Sequence, residues 1–535
     1  MTAGSPDTGR LATRWRRFDP IAALLFVAGT LLLLWVSRLN FLSTAANWDL
    51  LNYHAYVPAS LLSGSWFTDF HPAATQEYLA PYQDLLWWPI ISGLPGPIGA
   101  AVIVAVQVSI FVPVGLVIRT VVPGLSTARA LGLGLIGASG AMMVTELGST
   151  NGDVLPAILA VWGIYLLLSL LAGQASRPNM RACAAGALVG AAVVLKFTMA
   201  LIAPGMLVFV IALALAGKPR SALLFVASGA IVATALYAPW AFVLQTNSGS
   251  PMFPLYNEFF RAPRFPYANI HDTRFPVTTL RSLVSLPLHQ AQGVAFTAET
   301  PIRDGRWLVA FLAVAAGLMV AAVRVVRGRA GLRWRAHLPA LTLVSFWVVS
   351  YVTWAVEFGI QRYALTIEVL ALPIVVIGAS FARIRLPSRS SLLMLLVLVA
   401  LLAGTTKFQA MGRRPMTWAP IFPTQTIQPI TQYDAIVIGS HPLAYLRAVT
   451  RNAPGASNQV WVGAPFDETD VAVGEKVLQG RSVGVVFYVD ARTSAESVAG
   501  SLGLQLSQAC QTFDNPLSSK YMSTRVEICG ATRKP

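Results

Sequence analysis

The sequence predicts a polytopic α-helical membrane protein of about eleven spans, with a small extracytoplasmic α/β domain at its C-terminal end. Three observations carry that prediction. Of 535 residues, 55% are hydrophobic and only 12% charged, about half the share of charge in a soluble chain. Apolar runs long enough to cross a hydrocarbon layer of roughly 30 Å recur through the first three quarters of the chain. Basic residues fall mostly in short clusters between those runs, such as Arg14, Arg16 and Arg17, or Arg324 to Arg335, which is the positive-inside pattern. That distribution also argues against nucleic acid as the partner of a chain with net charge +16.

The elements follow in order. The basic stretch "GRLATRWRRFDP" precedes "IAALLFVAGTLLLLWV". A signal peptide begins this way, but Arg38 closes the run and no small-x-small cleavage site follows promptly. Residues 1–19 are therefore read as a cytoplasmic N-terminus before a retained first span. With the basic clusters inside, spans fall near 20–38, 97–118, 128–145, 154–172, 182–196, 198–216, 221–243, 307–323, 338–355, 363–382 and 390–405. The membrane domain is thus 20–405, with outer loops near 39–96 and 244–306. From Phe41 to Ile118 there is no Lys or Arg, while Asp49, Asp69, Glu77 and Asp84 all lie there. Residues 182–216 must cross and return, turning outside near Lys196, which short helices rising about 1.5 Å per residue just manage.

Residues 406–535 change character. "YDAIVIGSHPLAYL", "QVWVGAP" and "RSVGVVFYVD" are short β-rich runs separated by helix-like stretches such as "ARTSAESVAGSL", the alternation of a small α/β domain. Two of the three cysteines, Cys510 and Cys529, lie there. A disulfide between them suits an oxidising outer compartment, and two reduced thiols are the alternative. No transporter-type repeat or interrupted helix is evident. P-loop, CxxC and HExxH motifs are missing from the sequence.

Charge at membrane depth is expensive, so the few such groups are candidate functional groups. Asp49 follows the first span. Glu146 and Asp153 stand in "TELGSTNGDVLPAIL", Lys196 ends "GAAVVLKFTMALIAPG", and Arg362 opens "QRYALTIEVLALP". The topology puts all of them on the outer face. Each has a plainer reading: Asp49 and Asp153 as helix N-caps, Lys196 and Arg362 as cations snorkelling to the interface. Together, two carboxylates and two cations suit an anionic, lipid-borne substrate, one type accepting a proton and the other holding a phosphate. The outer loop 244–306 adds Arg261, Arg264, Arg274, Arg281, Arg303 and Arg306, read either as a solvated loop or as contacts for anionic lipid heads or an acidic acceptor.

These features resemble the GT-C membrane glycosyltransferases, most closely the branch of lipid A aminoarabinose transferases and protein O-mannosyltransferases. The resemblance rests on "WDLLNYHAYVPASLLSGSWF" after span one and "NGDVLPAILAVWGIYLLL" about a hundred residues later. It continues through "GALVGAAVVLKFTMALIAP", "APWAFVLQTNSGSPMFPLYN" and "QRYALTIEVLALP". The first loop departs from the mannosyltransferase pattern by holding Asp49 alone, without an adjacent glutamate. Its lack of basic residues removes a lysine that the aminoarabinose transferases use near the lipid phosphate.

The resemblance implies transfer of a sugar from a polyprenyl-phosphate donor to an acceptor hydroxyl on a glycan, lipid or protein, with inversion in one displacement, in a multi-pass protein of the inner membrane. It implies Asp49 as the base, Asp153 as its helper, and Lys196 and Arg362 as donor-phosphate ligands. Tyr53, His54 and Glu146 are candidate acceptor or substrate contacts. No cofactor is required, and a divalent metal is not expected, although His54, Asp69, His71 and Glu77 are the residues that would offer ligands. A lipid-linked glycan transporter or a polymerase of the cell envelope is the alternative. Cysteine-accessibility labelling of intact cells should reach the Asp49 loop and residues 406–535, but not residues 324–335. Labelling of the C-terminal residues only after lysis would overturn this topology.

Overall fold

The computed structural model describes residues 43–534 apart from 123, 271, 295, 296, 298, 300, 327–333, 382–403, 405, 408–411 and 519–522. Among the described residues, seven helices are long and apolar enough to cross a membrane: Gly96–Val121, Val154–Leu171, Pro178–Leu195, Phe197–Leu215, Pro219–Ser248, His337–Glu357 and Gln361–Phe381. A shorter apolar stretch, Arg306–Val320, opens the helix Arg306–Val326. The expected span 20–38 and nearly all of 390–405 lie outside the described residues. The protein is an integral membrane protein, and a small sheet closes its C-terminal end.

The Val154–Leu171 helix is apolar on every side and sits within the bundle, with Ala157, Val161, Ile164 and Leu168 fully buried. A helix of that kind belongs in the middle of a bundle. Close packing of such helices, more than hydrophobic expulsion, holds them together in lipid.

The expected span 128–145 is corrected: it is two pieces, Thr127–Gly137 and Ala141–Glu146. The expectation that no membrane helix is interrupted is corrected with it. A break frees carbonyls on one side and N–H groups on the other, and an apolar interior demands partners for both. Arg306 donates to Gly137 O at 2.7 Å and to Ser139 O at 2.8 Å. Asp304 accepts from Ala141 N at 2.9 Å, and Glu368 accepts from Met143 N at 2.9 Å. A Cβ at residue 140 would stand 1.9 Å from Glu368 Oε1, so a larger residue there would displace the carboxylate that holds Met143 N. The stretch "LGLGLIGASGAMMVTE" reads as one apolar run because the carboxylates that hold its break lie 163 and 225 positions away.

Among the described residues, seven strands form two sheets. β1 (Ser43–Ala45) pairs antiparallel with β2 (Arg413–Pro415), tying the start of the first long loop to the segment before the C-terminal domain. β3 (Ala435–Ile438), β4 (Val460–Val462), β5 (Val483–Tyr488), β6 (Leu504–Asp514) and β7 (Arg525–Arg533) form a mixed sheet in the order β4-β3-β5-β7-β6. β3, β4 and β5 are parallel and wholly buried, as their near-continuous β-branched sequences require. A disulfide joins Cys510 on β6 to its register partner Cys529 on β7.

The loop that follows β1 docks on this domain. Phe70 pairs parallel with Val462, with Phe70 N donating to Trp461 O at 2.8 Å and Gly463 N to Phe70 O at 2.6 Å. The exposed β4 edge is thereby covered. Residue 463 must be glycine, since a Cβ would lie 2.0 Å from His71 O. Leu50, Leu51, Trp87 and Trp88 of the loop share one apolar core with Ile436, Tyr445 and Trp461. Polar contacts finish the joint. Asp69 accepts from Trp461 N at 2.9 Å and from Tyr56 Oη at 3.2 Å, and lies 3.6 Å from Arg447. His71 meets Asp470 at 3.1 Å and Glu77 at 3.7 Å, bonds Tyr78 Oη, and stacks on Phe466.

Burial pulls the His71 pKa down, but its bonds to Asp470 and Glu77 outweigh that and leave it raised. A raised folded-state pKa means that the stabilisation is complete below the unfolded value of about 6.5 and is lost as pH rises through the folded value. Burial pushes Asp69 up to about 7 against Arg447, so its neutral form is favoured and stability also falls as pH climbs from about 4 towards that value. The thermal midpoint should therefore fall between pH 6 and pH 9, and His71→Gln should flatten the fall. An unchanged slope in the variant would remove His71 from the joint's energetics.

Candidate active site

Four segments far apart in sequence meet beside the first outer loop. Trp48–Asp49 begin a helical turn that continues as the π-helical turn Leu50–His54 and the helix Tyr56–Ser63. Asp49 does not cap it. Asn47 Oδ1 accepts from Leu50 N at 2.9 Å instead, while Asp49 makes no capping bond and its carboxylate turns to Arg362 Nη1. Asp153 occupies the N-cap position of Val154–Leu171 and also makes no side-chain cap. Its Oδ2 lies 2.7 Å from Lys196 Nζ, an ion pair out of line for a hydrogen bond. Lys196 donates at 2.8 Å to Asn151 O. It stands where Pro178–Leu195 ends in extended backbone before the 3-10 turn Phe197–Ile202.

Arg362 sits in the turn Gln361–Ala364 that opens the last described span. The ring of Tyr363 joins the two cations, with Lys196 Nζ 5.4 Å and Arg362 Cζ 5.3 Å from its centroid. The structure therefore brings Asp49, Asp153, Lys196 and Arg362 into one cluster.

The remaining sequence candidates fall around it. Glu146, at the end of Ala141–Glu146, accepts from Ser149 Oγ at 2.7 Å and Asn151 Nδ2 at 3.0 Å, so it braces the loop that holds Lys196. Tyr53 is buried, and its hydroxyl pKa is raised by burial and by nearby Asp49. His54 Nδ1 bonds Asp84 at 2.6 Å. The four residues offered as metal ligands disperse: His54 goes to Asp84, Asp69 to Arg447 and Trp461, and His71 joins Glu77 to Asp470. Among the arginines of that loop, Arg306 is buried on the helix break, while the exposed Arg274 pairs with Asp272 and Glu299.

Sequence reasoning missed several participants. Glu299 faces Arg362, its Oε1 accepting from Nη2 at 3.4 Å while Oε2 lies 3.1 Å from Nε, out of line for a hydrogen bond. Nothing in the outer loop's sequence singles it out. Arg413 reaches Thr145 O at 3.2 Å and Leu147 O at 2.8 Å, and burial lowers its pKa to about 10. Asp84 was visible as an acid in a stretch without cations, and only the fold pairs it with His54.

The two central carboxylates are driven apart electrostatically. Burial pushes Asp49 up, yet Arg362, with smaller help from His54 and Lys196, holds its pKa below the ordinary carboxylate value. At Asp153 burial wins over Lys196 and Arg362, and the pKa is raised. The cluster offers paired proton acceptors and a double cation with an aromatic between, which is chemistry for an anion beside a reacting hydroxyl.

No family model and no curated protein matches the chain. Solved structures share its fold. ArnT from Cupriavidus metallidurans bound to undecaprenyl phosphate superposes with TM-score 0.51 at 15% identity, over 95% of this chain and 97% of that one. The apo state of ArnT gives TM-score 0.50 at 16% identity, over 97% and 98%. The Archaeoglobus fulgidus oligosaccharyltransferase in its apo form gives TM-score 0.49 at 14% identity, over 96% and 75%. The two ArnT superpositions show the shared architecture, the GT-C fold.

If Asn47 rather than Asp49 caps the first outer helix, Asn47→Ala should lower stability by about 1 kcal/mol in a thermal melt. An unchanged melting temperature would hand the cap back to Asp49.

Proposed function

We propose that the protein is a membrane glycosyltransferase. It moves a sugar from a polyprenyl-phosphate donor to a hydroxyl of an extracytoplasmic glycan, lipid or protein. One observation carries the reading: Asp49 and Asp153 stand at helix starts, make no capping bond there, and turn to Arg362 and Lys196. Support comes from the shared fold with ArnT, a protein solved with undecaprenyl phosphate bound.

In this reaction the acceptor oxygen attacks the anomeric carbon from the face opposite the phosphate. The bond from that carbon to the phosphate oxygen breaks, and its electron pair stays on the leaving phosphate. The acceptor proton passes to Asp49, which must come within hydrogen-bond reach of the hydroxyl. Lys196 and Arg362 meet the charge growing on the phosphate, where a low dielectric makes such contacts strong. Asp153 orients the sugar or acceptor, and Tyr53, His54 and Glu146 shape the acceptor side. The leaving group carries a single phosphoryl group, so the chemistry does not require a metal.

The interrupted helix gives a second reading some footing, because broken helices mark the sites of many transporters. Here both broken ends are already satisfied by Arg306, Asp304 and Glu368, which favours the transferase over a lipid-linked glycan transporter or polymerase. Comparing envelope glycans with and without the protein by mass spectrometry separates the readings and names the sugar.

Transfer from a purified polyprenyl-phosphate sugar tests the roles. Asp49→Asn is nearly isosteric and should fold normally, yet abolish transfer, because an amide does not take the acceptor proton. Lys196→Met should fold and lose about 3 kcal/mol of transition-state stabilisation, roughly a hundredfold in rate. Lys196→Arg should recover little, since the larger fork displaces the phosphate. Near-normal transfer by both folded lysine variants would return Lys196 to a membrane-edge cation.

A further inference from the structure

Arg362 is shared. One carboxylate, Asp49, takes Nη1, and the other, Glu299, faces the Nε and Nη2 edge. Glu299 belongs to the outer loop between Pro219–Ser248 and Arg306–Val326, and it is itself held from outside. Arg274 Nη2 lies 3.2 Å from Glu299 Oε1 and 2.6 Å from Asp272 Oδ2. The charges therefore alternate from surface to site: Asp272, Arg274, Glu299, Arg362, Asp49. Along the row the side chains are 27%, 59%, 22%, 9% and 15% exposed, so Arg274 is the most open to water and Arg362 the most covered.

We propose that Glu299 is a positioning residue, anchoring Arg362 by one edge while the phosphate of the donor takes the Nη1 edge from Asp49. The inference rests on the donor site proposed above. An arginine presents its donors in a fixed planar fork, so one edge stays held while the other changes partner. Exchange at Nη1 then needs no movement of the anchor. It also has a chemical consequence. Asp49 is held a poor base by the cation beside it. An arriving phosphate takes that cation, and the carboxylate becomes a better proton acceptor only when donor is present.

The two carboxylates should thus affect anion binding in opposite directions. Plain electrostatics says that removing either acid beside an anion site tightens binding. An anchor says otherwise: without Glu299, Arg362 closes onto Asp49 and is withdrawn from the phosphate. The measurement is binding of a sugar-free polyprenyl phosphate to the full-length protein in nanodiscs, with inorganic phosphate as competitor. Asp49→Asn should tighten binding about tenfold, the scale of one charge-assisted contact, and Glu299→Gln should weaken it by a similar factor. Glu299→Asp keeps the charge and loses the reach, and should weaken binding as well. The double variant Asp49→Asn, Glu299→Gln should return near the wild-type affinity, because the competing acceptor is gone.

Tightening by Glu299→Gln, or indifference to both Glu299 variants, would overturn the anchor alone. Binding that ignores Arg362→Gln and Lys196→Met would overturn the donor site itself, and the anchor with it. Competition by inorganic phosphate would place recognition in the headgroup; its failure alongside tight lipid binding would place it in the chain and overturn the exchange at Nη1.

Discussion

A charge withdrawn from water must find an opposite charge, and in this molecule that rule joins segments which nothing in the local sequence connects. Asp49 and Arg362 are 313 positions apart and meet directly. Arg362 also faces Glu299, so it keeps an opposite charge even where Asp49 is neutralised. The pairing with Asp49 fixes the first outer loop against the turn that opens the last described span. Lys196 and Asp153 do the same between the ends of two further helices.

The same rule governs the interrupted helix. Asp304, Arg306 and Glu368 look, one at a time, like stray charges near a membrane. Their use is to replace backbone hydrogen bonds that the break removes. The short helix Ala141–Glu146 is then set at both ends, by the carboxylates on its first N–H groups and by Arg413 on Thr145 O and Leu147 O. Acids at the start of a helix and a cation at its end suit the helix dipole. Glu146 is delivered by this short helix, and through Asn151 it steadies the loop on which Lys196 leans. Because Arg413 lies in β2, the segment leading into the C-terminal domain reaches the site as well.

What was legible in the sequence was what composition alone decides. Long apolar runs betray spans, and in a chain so poor in charge Asp49, Asp153, Lys196 and Arg362 stood out by scarcity. Glu299 did not stand out, since an outer loop of ordinary charge density gives no reason to prefer one acid over another. The helix break was hidden because glycines in an apolar run are as common in packed spans as in interruptions, and its partners are remote. The joint between Phe70 and Val462 was hidden for a related reason: a single residue adding itself to a sheet edge has no periodicity to read. Interactions between neighbours in sequence left a trace; interactions that only folding creates did not.

The opposite shifts of the two carboxylates bear on which of them takes the proton. A general base works best when its pKa lies near the working pH, and paired groups whose environments separate their pKa values often divide the acid and base roles. By that criterion Asp153, pushed up by burial, is the more basic group when no donor is bound, and Asp49, held down by Arg362, is the weaker one. The assignment of Asp49 as base consequently depends on what Arg362 does when an anion arrives. Asp153 keeps Lys196 beside it, and an incoming phosphate that drew Lys196 away would make Asp153 more basic still. On the proposed donor site, the order of the two carboxylates is set by which cation the phosphate engages more closely, and Glu299, facing the far edge of Arg362, would bias that choice towards the freeing of Asp49.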